Sequence, residues 1–262
     1  MRYNTLLSTL LATGAAASMS CQAALIAHYT FDVDGTDAFG NHATLGDAAS
    51  ITASSKVGAG ALSLSGAPSP DGGGNDGAYS GSDFTLGDHT RTIAFWMKAT
   101  AGDHGDVNST LISLGDTSAN GTRFDIRVTG NKLRFEVGGG GTTTGATIAD
   151  GSWHHIAIVV PTVGATVSAS QYSIDGGTLT AFGGTTGATT VGINTVDNPL
   201  RLGESVVGTD DRDYKGLIDE VRIYDEALSQ SAITALASVP EPSSAALLGL
   251  GGLALILRRR KG

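Results

Sequence analysis

The chain has 262 residues, with 38 Gly, 6 Pro, a single Cys, and 16 Lys and Arg against 25 Asp and Glu. An acidic surplus repels a polyanion and one cysteine cannot build a disulfide framework, so nucleic-acid partners and stapled miniproteins are excluded. The length suits one large β domain or two small ones, and the punctuation by Gly, Thr, Ser and Asp favours one.

At the start, Arg2 precedes an apolar stretch from Leu6 to Ala17, and Cys21-Gln22-Ala23 supplies small residues at the spacing that signal peptidase reads. Residues 1–23 are expected to be a signal peptide cut after Ala23, which discards Cys21. Acylation of Cys21 is the alternative, but Ser18-Met19-Ser20 lacks the leucine expected three positions before a lipidated cysteine. Without Arg2 and the basic cluster at the far end, 11 basic residues face 25 acidic ones, a formal charge of about −14 that keeps an exported chain soluble.

Between the two ends, short runs with period-two or fully apolar character predict strands. They are Leu25 to Phe31, Ala61 to Leu64, Thr92 to Lys98, Thr110 to Leu114, Arg123 to Val128, Leu133 to Val137, His154 to Val160, Tyr172 to Ile174 and Leu217 to Tyr224. Gly130-Asn131 reads as a two-residue hairpin loop, because both residues tolerate positive φ and the alternation resumes on each side. Phe124, Ile126 and Val128 then share an apolar face with Leu133, Phe135 and Val137, and Arg127 and Arg134 point to water or to the opposite surface. Trp96 and Trp153 are expected in the core. Ser229 to Ala237 reads as the one helix of the domain.

His154 and His155 are adjacent on a strand, so they face opposite ways and cannot grip one ion; one is expected to bond inside and the other to lie at the surface. Calcium is the better candidate ion. Asp32, Asp34, Asp37 and Asn41 cluster after the first strand, and hard cations take oxygen ligands. The alternative is that these are turn residues bonding their own backbone.

The chain closes on Pro240-Glu241-Pro242, an apolar run, and Arg258-Arg259-Arg260-Lys261. Cations cannot enter hydrocarbon, so the segment stops in a membrane with its basic end in the cytoplasm. From Ser243 to Leu257 is 15 residues, short of the ~17 to 25 that a stable spanning helix uses. A transient hold fits better than a permanent anchor.

These features resemble two known families. The tail, residues 239–262 with membrane segment 243–257, is similar to the PEP-CTERM sorting signal. That resemblance implies recognition of Pro240, Glu241 and Pro242 by exosortase, with Arg258, Arg259 and Arg260 as the stop, and release or attachment at the cell surface after transient anchoring. The body, residues 24–237, resembles a laminin-G-like domain of the concanavalin A-like lectin and glucanase group. Arg91-Thr-Ile-Ala-Phe-Trp-Met-Lys98, Ser152-Trp-His-His-Ile-Ala-Ile158 and Tyr214-Lys-Gly-Leu-Ile-Asp-Glu-Val-Arg-Ile-Tyr224 carry the likeness, with Tyr29-Thr-Phe-Asp32 and Gly58-Ala-Gly-Ala-Leu-Ser-Leu64. It implies an all-β fold, a two-sheet antiparallel jelly-roll sandwich, with ligand sites on a concave face or loop rim. Asp219 lies in the strand that this family pairs near the Asp32 cluster, so one structural Ca²⁺ would involve Asp32 and Asp219.

Glucanases of this group place their carboxylates as Glu-x-Asp-x-x-Glu, and none of the Glu at 136, 204, 220, 226 and 241 forms that spacing. Asp219 and Glu220, as strand neighbours, should face opposite ways. The chain therefore reads as an exported, non-catalytic lectin-like module for extracellular polysaccharide or matrix. A structural surface protein working through protein contacts is the alternative, and a hydrolase or lyase with an unfamiliar site ranks below both.

Overall fold

A computed structural model describes residues 24–66, 76–104, 108–184, 187–207 and 212–238. Signal cleavage at Ala23, the sorting residues Pro240, Glu241, Pro242, Arg258, Arg259 and Arg260, and the membrane segment 243–257 lie outside them. The strands are β1 (Leu25–Tyr29), β2 (Ala43–Leu45), β3 (Ala49–Thr52), β4 (Ala61–Ser65), β5 (Ala78–Phe84), β6 (Arg91–Lys98), β7 (Ser109–Gly115) and β8 (Arg123–Thr129). They continue with β9 (Lys132–Val137), β10 (Gly140–Thr147), β11 (Trp153–Val160), β12 (Gln171–Ile174), β13 (Thr180–Ala181), β14 (Asn198–Leu202) and β15 (Lys215–Tyr224), before helix α1 (Gln230–Ala237).

Two antiparallel sheets result. The first runs β13-β12-β11-β6-β15-β4-β3, with β1 also on β15; the second runs β10-β9-β8-β7-β14-β5-β2. β15 is long enough to pair with β6 along one edge while sharing its other edge between β4 at Lys215 to Ile218 and β1 from Val221 onward. Inward residues of both sheets, among them Tyr29, Phe95, Met97, Phe124, Phe135 and Ile218, form one buried core. Cutting a core Phe such as Phe95 to Ala costs ~3 to 5 kcal/mol in comparable interiors.

The two outer faces differ in kind. On the first sheet, Ala94, Ala157 and Val159 pack against Leu228 and Ile233, so α1 seals that side. The helix starts where Ser229 accepts a hydrogen bond from the Ala232 N–H, and Gln230 ties it to the carbonyls of Gly176 and Gly177. Trp96 belongs to this outer layer: it is buried under Lys56, whose Nζ stands 4.6 Å from the ring centre, and meets His155 edge-on at 5.2 Å. Trp153 is only half-buried at the start of β11, which departs from the expectation of a core residue.

Candidate functional site

The second sheet's outer face carries charge instead of oil. Gly130 and Asn131 have φ of 56° and 63°, so the β8–β9 loop has the two residues that a tight hairpin needs. That loop fixes the register: Thr129 faces Lys132, Arg127 faces Arg134, and Asp125 faces Glu136. With Phe124, Ile126, Val128, Leu133, Phe135 and Val137 all buried in the core, every charged residue of the hairpin is forced to the other side.

There the side chains interlock. Asp125 Oδ2 lies 2.7 Å from Arg123 Nε and also accepts a hydrogen bond from Arg127, while Ser113 of β7 donates to Oδ1. Glu136 accepts from Arg123, stands 3.5 Å from Arg127 Nη1, and takes Arg134 Nε at 2.8 Å through its other oxygen. Arg134 Nη1 continues to Thr143 of β10 at 3.2 Å. Along the same face Arg201 of β14 pairs with Glu204, which in turn accepts the Gly77 N–H at 3.0 Å. Burial works against the Glu136 carboxylate, and the Arg127, Arg134 and Arg123 guanidiniums outweigh it, leaving its pKa below the ordinary value. Arg127 lies on the surface opposite the core, as expected, but does not reach water: it is fully buried, roofed by Ser205, whose hydroxyl lies 3.4 Å from Nη2. Arg134, Glu136 and Arg201 keep part of their side chains in solvent.

Asp125, Glu136, Arg123 and Arg201 escaped the sequence reading. A signal was present, since Arg123-Phe-Asp-Ile-Arg127 and Lys132-Leu-Arg-Phe-Glu136 alternate charge with apolar residues across a loop whose length dictates the pairing.

The expected calcium residues hold backbone. Asp32 Oδ1 accepts the N–H groups of Ala59 and Gly60, and Asp219 Oδ2 those of Lys56 at 2.8 Å and Val57 at 3.0 Å, so both carboxylates pin one loop. Asp37 is buried and accepts from the N–H groups of His28, Phe39 and Asn41, and Asp34 accepts from Thr36. Those are turn roles. Among the described residues no three His, Cys, Asp or Glu side chains converge as a metal cage. Asp219 Oδ1 is nevertheless buried without a hydrogen-bond partner there, and burial pushes the Asp219 carboxyl up to about 6.

Asp219 and Glu220 do not face opposite ways. The register of β15 shifts between Asp219 and Arg222 and Glu220 takes φ of 54°, a bulge that turns Glu220 outward beside Asp219 to meet Arg222 and, at 2.9 Å, His28. Both carboxylates are buried.

The histidines divide between inside and surface as expected, but it is the outer one whose ring carries the hydrogen bonds. His154, at the surface end of β11, bonds Asp175 at 2.9 Å and Asp150 at 3.2 Å, and the Asp175 hydrogen bond, seconded by Asp150, raises its pKa. His155 is buried with Nδ1 unpaired among the described residues, and burial drives its pKa down to about 4. Elsewhere a cleft of about 290 Å³ lies beside Ile26, Leu86, His89 and Asp225, where β1 begins.

Comparison with known proteins now fits this architecture. Residues 71–234 match the concanavalin A-like lectin/glucanases superfamily. The chain belongs to that family. Residues 238–261 match the PEP-CTERM protein-sorting motif, so this family member carries the tail that marks a chain for exosortase processing and the cell surface. No curated protein sequence matches significantly. Domain 4 of AbnA, a GH43 extracellular arabinanase from Geobacillus stearothermophilus in complex with arabinotriose, is similar at 23% identity and a TM-score of 0.59, covering 82% of this chain and 99% of that one. The binding domain of Paraclostridial Mosquitocidal Protein 1 is 14% identical with a TM-score of 0.57, covering 81% of this chain and 51% of that one. Trypanosoma rangeli sialidase is 16% identical with a TM-score of 0.54, over 81% of this chain and 32% of that one. At these identities the structural likeness establishes the sandwich.

Proposed function

We propose that this concanavalin A-like domain is an exported, surface-sorted binding module that holds extracellular polysaccharide without cleaving it. The observation that carries the reading is the contrast between the outer faces: one closed by α1 and the Lys56 loop, the other a rigid lattice of Arg123, Asp125, Arg127, Arg134 and Glu136 with partly exposed edges. Such cross-braced donors and acceptors are held in place before a ligand arrives, which reduces the ordering cost of binding hydroxyl-rich rings. The arabinotriose bound by the similar arabinanase domain supports a saccharide as the ligand class.

Catalysis fits the lattice poorly. A glycosidase needs one carboxyl raised to act as an acid beside a second carboxylate. Asp125 and Glu136 face each other, and burial raises the Asp125 pKa while arginines depress that of Glu136, but Asp125 is fully buried and held by Arg123, Arg127 and Ser113, out of reach of a glycosidic oxygen. Asp219, under the 56–57 segment, and Glu220, against His28 and Arg222, are both buried out of reach of a polymer. A glycan array with the processed protein is expected to show retention of a subset of polysaccharides and no chain shortening. Silence across neutral and acidic glycans would overturn the reading and favour a surface protein that works through protein contacts.

Calcium enters the same proposal as a structural ion. Asp32 and Asp219 grip the 56–60 segment, its carbonyls are oxygen donors, and Asp219 Oδ1 has a buried lone pair to give. Adding Ca²⁺ to chelated protein is expected to raise the melting temperature; neither heat nor a shift in calorimetric titration would remove the ion.

A further inference from the structure

The charge of the second sheet's outer face is opposite to that of the chain. Residues 24–238 hold 11 basic residues against 24 acidic ones. Five of the 11, Arg123, Arg127, Lys132, Arg134 and Arg201, occupy outward positions of β8, β9 and β14. The acids interleaved with them are Asp125 and Glu136, with Glu204 behind Arg201. Nearly half of the cations of an acidic protein are thus gathered on one face, where they outnumber the carboxylates beside them.

The lattice also leaves donors over. Arg134 spends Nε on Glu136 and Nη1 on Thr143, and its Nη2 is directed toward Gly141 on β10. A Cβ at position 141 would stand 3.0 Å from that Nη2 and 3.0 Å from Glu136 Cγ, so glycine keeps the ground above the guanidinium clear. Across the strand pair from it, Arg127 Nε is buried without a hydrogen-bond partner among the described residues and Nη1 stands 3.5 Å from Glu136, while the hydroxyl of Thr110, the other cross-strand neighbour of Arg127, is also buried without a hydrogen-bond partner there. Arg127 is sealed from solvent, so it acts on a ligand through its field, and that field favours an anionic oxygen over Arg134. Neutral sugar hydroxyls can accept from Arg134, but they cannot balance the surplus charge.

The geometry points to an anionic saccharide as the ligand of this face, with a uronate carboxylate seated over Arg134 beside Gly141 and in the field of Arg123 and Arg127. The inference rests on reading this face as a saccharide site and adds the class of sugar. A planar carboxylate matches the guanidinium fork, and the strongly acidic remainder of the chain rejects the same polymer elsewhere, which makes binding local.

The test uses the processed protein and three oligosaccharides of equal length: a neutral one, an oligogalacturonate and a sulfated one. Isothermal titration is expected to show the uronate bound most tightly, with affinity falling as salt rises from about 20 mM to about 300 mM. Arg134→Gln is expected to weaken uronate binding roughly tenfold or more, the scale of one charge-assisted hydrogen bond, and to weaken neutral binding by a clearly smaller factor. Gly141→Val, which builds over the seat without removing charge, is expected to have the same effect on uronate. Neutral binding as tight as uronate binding, or uronate binding indifferent to both variants, overturns the anionic class and leaves the saccharide reading intact. Preference for the sulfated chain overturns the carboxylate seat. Absence of binding to all three sinks both readings together.

Discussion

Replacing Asp125 with Ala is expected to be the most damaging single change on the second sheet, lowering stability by about 3 to 5 kcal/mol. Asp125 is fully buried with Arg127, and Arg123 is nearly so. Deleting the carboxylate removes the buried partner of both guanidiniums and the acceptor of the Ser113 hydroxyl, leaving the one carboxylate of Glu136 to balance positive charge that water cannot reach. For a domain of this size the loss corresponds to a drop of roughly 10 °C in melting temperature. Glu136→Gln should cost far less, because Glu136 is partly solvated and an amide oxygen still accepts from Arg123 or Arg134. A double replacement, Asp125→Leu with Arg127→Met, should recover most of the loss, since a buried ion pair is frequently no better than well-packed apolar groups. Chemical denaturation of the three variants reads the effect directly. A loss under about 1 kcal/mol for Asp125→Ala would show that the network contributes little electrostatics, and the argument for a pre-set polar face would weaken with it.

What the sequence disclosed follows the strength of its patterns. β6, β8, β9 and β11 bury an apolar face and announce it, and Ser229 announces the helix start. β2, β3, β5, β10, β13 and β14 escaped because Ala-Tyr-Ser-Gly-Ser-Asp-Phe or Gly-Gly-Thr-Thr-Thr-Gly-Ala-Thr shows no period-two contrast. Most of these lie at or next to sheet edges, where one side of a strand needs no apolar partner, and β14 is masked by Pro199 at a register shift. The site was half legible. Hairpin length alone pairs Asp125 with Glu136, but the roofing of Arg127 by Ser205 is a contact between residues 78 positions apart. The opposite-face rule for Asp219 and Glu220 failed because a bulge breaks alternation, and no propensity signals a glutamate at positive φ.

Acid titration should expose two buried groups that now offset each other. On the first sheet's outer face, His155, Trp96 and Asp219 stand in one cross-strand row. His155 titrates near pH 4 in the folded protein, held down first by burial and then by Arg222. In the unfolded chain an imidazole titrates near pH ~6.5. The unfolded state therefore takes up the proton first, so this contribution is fully present above the unfolded value and is lost as pH falls from ~6.5 toward 4, by about 3 kcal/mol in total. Asp219 has the opposite sign: burial raises its folded value to about 6, above the ~3.9 of an unfolded aspartate, so the folded state takes up that proton first and gains as pH falls through 6. With both in place, stability between pH 6 and 4 should be nearly flat from this pair. His155→Phe keeps a ring against Trp96 and removes the losing partner, so its stability should climb relative to wild type as pH is lowered, by up to about 3 kcal/mol. Asp219→Asn should slope the other way. Denaturant midpoints measured from about pH 7.5 to about 4.5 decide the matter through the difference in slope, which is insensitive to any fixed packing cost of the substitutions. Parallel curves for His155→Phe and wild type would mean that the imidazole accepts its proton while folded, which would require water beside Trp96 under a Lys56 loop that opens.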